Sequence, residues 1–154
     1  MNQKLLRSLT LVSILTPVLA LAFGNTHTWV SGWGQGHSEF IIKGKGKSSL
    51  YLACDDYGTQ SATLIFTDIN GHEISMDSGK QLYLQIDEEE KTDISSTESR
   101  VGDGNITWAW NHLRTGKTVV VSGEGVRPAT FTLNGAGKVL PEFGSEGCTS
   151  KFAL

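Results

Sequence analysis

Residues 63–76, which read TLIFTDINGHEISM, decide the fold class of this sequence. A short apolar run, Leu64 to Phe66, precedes Asn70-Gly71 and an alternating run follows it, and short runs of these two kinds are typical of β-strands. Asn-Gly is a strong hairpin signal, because both central residues of a type I′ turn need positive φ, which Asn and Gly tolerate best. The stretch therefore predicts two antiparallel strands, residues 63–67 and 72–76, joined by a tight turn.

Short runs of the same kind recur on both sides of this hairpin and are separated by turn residues. Such a series predicts a mainly β, antiparallel, sandwich-like domain. Near the carboxyl terminus the pattern changes, and Asn134 is expected to cap a short helix that ends by Gly147. The other predicted strands are residues 39–43, 48–54, 81–86, 106–110, 118–122 and 129–133.

Size and composition exclude several classes of protein. The chain has 154 residues, which suits one ordinary domain. With 38% hydrophobic and 19% charged residues, it is neither a disordered chain nor a polytopic membrane protein. The formal charge of −3 and the lack of a Lys/Arg-rich stripe argue against a nucleic-acid partner, which requires basic groups that neutralise phosphates.

Residues 1–22 have the pattern of a secretory signal peptide. Two basic side chains precede an apolar run, and the motif ALA at residues 20–22 fits signal-peptidase cleavage. The alternative, a membrane anchor, needs about 20 uninterrupted apolar residues. We therefore expect residues 23–154 to form a single β-rich domain that is exported to the periplasm or beyond, without a membrane span after cleavage. This part of the chain is acidic, with 11 Lys and Arg against 16 Asp and Glu.

Export also bears on the two cysteines, Cys54 and Cys148. In an oxidising compartment, two cysteines in one small domain most simply form a disulfide bond. Two separate buried thiols are the alternative. The bridge would join residues 94 positions apart and would stabilise the fold strongly.

The longest irregular stretch, residues 87–104, is predicted to be an exposed loop. It begins with four acidic residues and continues with a Ser/Thr-rich segment. A loop of this length in a compact domain is either functional or mobile, although an acidic run also occurs on ordinary solvated surfaces. The candidate partner-binding residues in it are Asp87, Glu88, Glu89 and Glu90.

The four tryptophans fall into two pairs. Trp108 and Trp110 alternate with smaller residues, so on a strand they share one face, which is either core or surface. Trp29 and Trp33 lie in a Gly-rich segment before the first predicted strand. They are partner-binding candidates as an exposed aromatic platform, and the alternative is that the segment packs over one sheet.

Motifs for catalysis, nucleotide binding and metal binding are incomplete. Residues 44–48, GKGKS, match only the end of a phosphate-binding loop, because Ile41 stands where the first glycine is needed and a strand follows. The four histidines lie far apart and form no zinc motif. The nucleophile motif Gly-x-Ser-x-Gly is lacking. We therefore expect no enzyme, no metal and no cofactor.

The order of several motifs carries a family resemblance. The motifs are YLAC at 51–54, WAW at 108–110, TVVV at 118–121, ATFTLNGA at 129–136, and Cys148. This order resembles the small exported bacterial proteins associated with type VI secretion systems, in which a strand cysteine precedes a Phe-x-Leu-x-Gly corner and a carboxyl-terminal cysteine. The resemblance spans residues 48–148 and implies a non-catalytic periplasmic accessory role.

The sequence thus favours binding over catalysis, with a protein partner in the bacterial envelope. One version is an accessory component of an envelope or secretion system. The alternative is an inhibitor or immunity protein that inserts the loop 87–104 into the cleft of a toxin or cell-wall hydrolase. A glycan-binding module is the third candidate, and it would expose both Trp29 and Trp33.

Overall fold

A computed structural model describes residues 23–154, and the predicted signal peptide at residues 1–22 lies outside the described residues. The larger of two sheets is a five-stranded antiparallel meander, in which each strand pairs with the next along the chain. The sequence predicted its last four strands to within two residues but missed the first, which is rich in glycine. The strands are β1 (Val30–Gly34), β2 (His37–Lys43), β3 (Ser49–Asp55), β4 (Thr63–Thr67) and β5 (Glu73–Ser75).

The smaller sheet has four strands in the spatial order β7-β6-β8-β9, and all of its pairs are antiparallel. Strands β6, β8 and β9 were predicted at these places, whereas the short β7 lies inside the segment predicted as a loop. The strands are β6 (Leu82–Ile86), β7 (Thr92–Asp93), β8 (Thr118–Gly123) and β9 (Ala129–Thr132).

One hydrophobic core lies between the inner faces of the two sheets. Phe66 of β4 and Phe131 of β9 meet edge to face across it, with ring centroids 6.0 Å apart. Every second residue along β4 and β6 is buried, as a half-buried strand requires, whereas the last four residues of β3 are all buried. The predicted fold class is confirmed: the domain is mainly β, with two antiparallel sheets, a short helix near the carboxyl terminus and one disulfide.

The hairpin between β4 and β5 is confirmed, but its turn is not of type I′. Only Gly71 takes a positive φ, of 93°, whereas Asn70 does not. The buried carboxylate of Asp68 organises the loop instead, because its Oδ1 accepts from the amides of Asn70 and His72, each at 2.9 Å. The turn was predicted at the correct place with the wrong geometry, since a neighbouring side chain replaced the intrinsic preference of Asn-Gly.

The strand predicted at residues 106–110 is wrong, because this segment lies in helix α1 (Arg100–Leu113). The helix begins at Ser99, whose Oγ accepts from the amide of Gly102 at 3.0 Å. The apolar residues of the segment are compatible both with the period of two of a strand and with the spacing of one face of a helix. As a helix, the segment buries all the residues along one of its sides. The helical residues buried by it are Gly102, Ile106, Ala109, Trp110 and Leu113.

The carboxyl-terminal helix α2 (Ala136–Val139) is one turn long. Gly135, with φ of 80°, occupies the cap position predicted for Asn134, and the chain is irregular after Leu140. The following segment returns to the larger sheet, where Cys148 forms the predicted disulfide with Cys54, with a Cα–Cα distance of 4.7 Å. Both cysteines are fully buried.

Candidate binding surfaces

The acidic turn, residues 87–91, connects β6 to β7 and is a compact structure rather than part of a long loop. Its first residue, Asp87, takes a positive φ of 52°. Its Oδ1 accepts from the backbone amides of Thr118 and Lys117, at 3.0 Å and 2.9 Å. The hydrogen bonds from Thr118 and Lys117 lower the pKa of Asp87. Asp87 therefore fixes the turn to the start of β8.

The three glutamates that follow project from this fixed turn. Glu88, Glu89 and Glu90 are exposed. The backbone around them is held on both sides, because the amide of Glu89 donates to the carbonyl of Ile86 at 3.1 Å and Gln85 Nε2 donates to the Glu89 carbonyl at 2.9 Å. Of the four predicted acidic candidates, Asp87 thus holds the backbone of the turn, whereas the side chains of Glu88, Glu89 and Glu90 are exposed.

An open groove of about 520 Å³, called the acidic groove here, runs between the acidic turn and helix α1. Asn105 ties the helix to β7, the strand that follows the turn, because its Nδ2 donates to the carbonyl of Asp93 at 3.0 Å. The groove brings together residues that are distant in sequence. Its lining consists of Glu89, Glu90, Lys91, Thr92, Asp93, Asn105 and Trp108.

Trp108 and Trp110 have different environments, because the helix turns them to different faces. Trp110 is fully buried, and its indole N–H donates to the carbonyl of Pro141 at 3.0 Å. Trp108 is half-buried and stacks on His112, with ring centroids 3.9 Å apart. The sequence left both residues open between core and surface. The helical spacing of Trp108 and His112 was the signal that would have placed them together.

The predicted platform of Trp29 and Trp33 does not form. Trp29 is only 2% exposed, and its indole N–H donates to the carbonyl of Thr132 at 2.9 Å. The segment before β1 packs over the domain because the Trp29 amide also bonds to the Asn134 carbonyl. Trp29 is therefore part of the core, and we withdraw it as a partner-binding candidate.

Trp33, in contrast, is 68% exposed at the end of β1. Its indole N–H donates to Oδ2 of Asp56 at 2.5 Å. The other oxygen of Asp56 accepts from Ser38 Oγ at 2.7 Å. The orientation of this exposed ring is thus fixed by a carboxylate of the loop after β3.

A second exposed ring, Tyr57, lies beside Trp33's partner Asp56 and was not singled out from the sequence. Tyr57 is 77% exposed, and its ring lies against Gly36 in the turn between β1 and β2. Its amide donates to the carboxylate of Asp55. We call Trp33, Asp56 and Tyr57, at the disulfide-bonded end of the larger sheet, the aromatic end.

The loop that carries Tyr57 is folded around the buried carboxylate of Asp55. Oδ2 of Asp55 accepts from Thr59 Oγ1 and from the amide of Thr59, both at 2.7 Å, and from the amide of Gln60 at 2.8 Å. The Thr59 hydroxyl and these amides lower the pKa of Asp55 to about 2. Asp55 is thus ionised at neutral pH and serves as the centre of the loop.

On the outer face of the larger sheet, Tyr51 pairs with Glu39. The phenol of Tyr51 donates to Glu39 Oε1 at 2.8 Å. Burial, together with the hydrogen bond and the charge of Glu39, raises the pKa of Tyr51 to about 12. The phenol is therefore protonated at neutral pH, which makes this pair a stabilising hydrogen bond rather than a general base.

Two further observations concern residues 23–154 as a whole. Their His, Cys, Asp and Glu side chains form no group of three that is suited to hold a metal ion. Within the same range, none of the helices has the length and apolar character needed to cross a bilayer.

These features define a disulfide-bonded, two-sheet domain with two separate exposed surfaces, one acidic and one aromatic. The chain belongs to the YfjT family, whose sequence profile matches residues 27–140. The matched range includes both surfaces and helix α1, and it ends before Cys148. No curated protein and no solved structure was found to match the chain.

Proposed function

We propose that this protein is a non-catalytic binding protein that acts outside the cytoplasm, as an accessory component of an envelope or secretion system. Export is supported by the signal-peptide pattern of residues 1–22 and by the buried disulfide, since structural disulfides persist in oxidising compartments. An exported location and the two exposed surfaces support a protein partner in the bacterial envelope.

The observation that carries the proposal is the acidic groove. Glu89 and Glu90 line the groove together with the half-buried indole of Trp108, and the exposed Glu88 precedes them on the same turn. Clustered carboxylates accelerate the approach of a basic partner, and an aromatic surface next to them suits Lys or Arg side chains. The partner surface that fits this groove is therefore basic.

The test is a measurement of association kinetics. The oxidised protein is used to isolate a partner from envelope extract, and the purified partner is then tested at low and at physiological salt. Replacing Glu88, Glu89 and Glu90 by Lys should slow association by about tenfold or more and weaken its salt dependence.

A control variant carries the same change of net charge at exposed acids away from the groove: Glu73→Lys, Glu98→Lys and Glu124→Lys. It should associate more than about three times faster than the turn variant at physiological salt, where distant charges are screened. Equal kinetics for the unmodified protein and the turn variant would eliminate the acidic groove as the binding surface.

A second candidate function, inhibition of a basic toxin or cell-wall hydrolase, is favoured by the rigidity of the acidic turn. Because Asp87 and Gln85 fix its backbone, inserting the turn into a cleft would cost little conformational entropy. A basic muramidase incubated with the protein should then lose activity, and the turn variant should not inhibit it. Retained muramidase activity at a large excess of the unmodified protein would leave the accessory role as the proposal.

A further inference from the structure

The aromatic end exposes two rings that the proposed function does not use. Antiparallel pairing places the turn after Trp33 and the loop after Asp55 at the same end of the larger sheet, where His37 lies opposite Asp55. The amide of Asp56 donates to the carbonyl of Gly36 at 3.0 Å, which joins the turn to the loop. The two rings therefore project from two neighbouring segments of backbone that are hydrogen-bonded to each other.

Several contacts constrain the backbone of these two segments. Cys54 precedes the loop and is bonded to Cys148, and a side chain on Gly147 would collide with the carbonyl of Asp55. The Asp55 carboxylate gathers the loop from within, and the Asp56 carboxylate holds the Trp33 indole. Exposed rings in fixed positions bind a ligand with little loss of conformational entropy.

The charge of this end restricts the class of ligand. Residues 33–38, 55–60 and 145–149 contain no Lys or Arg, and their acidic residues are Asp55, Asp56 and Glu146. An anionic ligand would be repelled. The carboxylates of Asp55 and Asp56 are engaged in hydrogen bonds within the protein, unlike the exposed glutamates of the acidic turn, so this end attracts a cation less strongly than the acidic groove does. Besides His37 and the two exposed rings, the remaining polar side chains are hydroxyls and amides, which exchange hydrogen bonds with a neutral polar ligand. They belong to Gln35, Ser38, Thr59, Gln60, Ser145 and Thr149.

We propose that the aromatic end binds a neutral, β-1,4-linked glycan chain. Such a chain presents flat C–H faces of successive pyranose rings, which pack on Trp33 and Tyr57, while its hydroxyls bond to Asp56 and the neighbouring amides and hydroxyls. The two rings are 68% and 77% exposed and stand open to solvent, which suits the interior of a long chain better than a single terminal sugar.

A protein partner fits this surface less well. A stable protein interface buries about 800 Å² per partner around a contiguous apolar centre. At this end, two rings stand among polar groups, and the indole N–H of Trp33 is already bonded to Asp56. The remaining large apolar side chains exposed in residues 23–154 belong to other segments, namely Phe23, Ile69, Val101, Phe152 and Leu154.

The experiment is isothermal titration calorimetry of the oxidised protein with two soluble probes, the β-1,4-linked hexamers of N-acetylglucosamine and of glucose. At least one hexamer should bind. Trp33→Ala and Tyr57→Ala should each weaken that binding by about tenfold, because each removes one stacking face. Trp33→Phe, which retains an aromatic face, should keep most of the affinity.

Two matched controls accompany the variants. Phe152→Ala removes an exposed ring elsewhere, and the Lys variant of Glu88, Glu89 and Glu90 reverses the charge of the acidic turn; both should bind the hexamer like the unmodified protein. Unchanged thermal unfolding of Trp33→Ala and Tyr57→Ala excludes misfolding as the cause. The proposal is overturned if neither hexamer binds, or if both ring variants bind as well as the unmodified protein. Either result leaves the acidic groove unaffected, so the two proposals fail independently.

Discussion

The aromatic end and the acidic turn are built on the same local device. Each begins with two consecutive acidic residues, Asp55-Asp56 in one and Asp87-Glu88 in the other. The first acid accepts hydrogen bonds from backbone amides and fixes the chain. The second is exposed. In both regions, therefore, the first acidic residue is structural and the exposed side chains of the turn or loop follow it.

The two regions differ in how firmly that device is anchored. Asp55 is buried beside a disulfide and accepts from three backbone amides and one hydroxyl. Asp87 is exposed, and its carboxylate accepts from two amides. An exposed hydrogen bond contributes less than a buried one, because water competes for both partners. The aromatic end should thus resist perturbation until the core opens, whereas the acidic turn should loosen alone.

Removing the disulfide is expected to lower the free energy of unfolding more than any other change, and to make the aromatic end as easily perturbed as the acidic turn. For a separation of 94 residues, the chain-entropy treatment gives a loss of about 4–5 kcal/mol in the free energy of unfolding for the double variant Cys54→Ala, Cys148→Ala. Guanidinium unfolding measures the loss, and hydrogen exchange shows where it acts. Amides of residues 56–60 should lose more protection than those of residues 88–91.

Reduction of the unmodified protein provides a control that adds no cavity, and it should produce the same pattern of exchange. A uniform loss of protection, equal in the two regions, would contradict the special role of the disulfide at the aromatic end.

Substitutions in helix α1, which forms one wall of the acidic groove, are expected to have the next largest effect on stability. A Cβ on Gly102 would collide with the carbonyl of Ser96, so Gly102→Ala should destabilise the domain by about 1–3 kcal/mol. Gly104 lies in the same helix, and a Cβ there meets nothing within 4 Å. Gly104→Ala should therefore stabilise by about 0.5–1 kcal/mol through helix propensity. Chemical unfolding measures the free energy of unfolding of both variants. Equal effects of the two substitutions would contradict the packing of α1.

Substituting the two structural aspartates tests the comparison directly. Asp55→Ala should lower the midpoint of thermal unfolding by several degrees, since it leaves buried donors without an acceptor. Asp87→Ala should lower the midpoint less, because water can reach the two amides that donate to Asp87. A larger effect for Asp87→Ala would reverse the ranking of the two anchors.

The pH dependence has a definite sign. The pKa of Asp55 lies at about 2 in the folded protein, below its ordinary value of 3.8. Asp55 therefore stabilises the fold above about pH 4, and this contribution is lost as the pH falls through the folded pKa. Thermal unfolding followed from pH 5 to pH 2 should show a shallower decline for Asp55→Asn than for the unmodified protein. Parallel curves would show that Asp55 does not contribute to the acid sensitivity.

The sheets were predictable from the sequence because a period of two leaves few alternatives. Strands β4 and β6 have a buried residue at every second position, and their places follow from that alternation. Helix α1 was not predictable in this way. Its core residues Ile106 and Trp110 satisfy both periods, and Gly102 and Gly104 look like helix breakers. The close approach of the Ser96 carbonyl explains why a glycine is required at position 102.

The candidate sites were predictable in part, for a similar reason. The acidic run and Trp33 are exposed, as the sequence suggested. The burial of Trp29 depends on a contact with Thr132, about 100 residues away, and no local pattern encodes it. The pairing of Trp33 with Asp56, and the position of Tyr57 next to them, likewise depend on the register of β2 and β3.

The smallest effect on stability, and the sharpest contrast with Asp55, is expected from its neighbour Asp56. Asp56 is exposed and accepts from Trp33 and Ser38 side chains that can turn to water. Asp56→Ala should change the free energy of unfolding by no more than about 0.5 kcal/mol. It should still release the indole of Trp33, which acrylamide quenching and time-resolved anisotropy of the indole would detect as faster local motion. Loss of stability on the scale of Asp55→Ala would mean that both acids support the loop, and the division into a structural acid and a free acid would then hold only at the acidic turn.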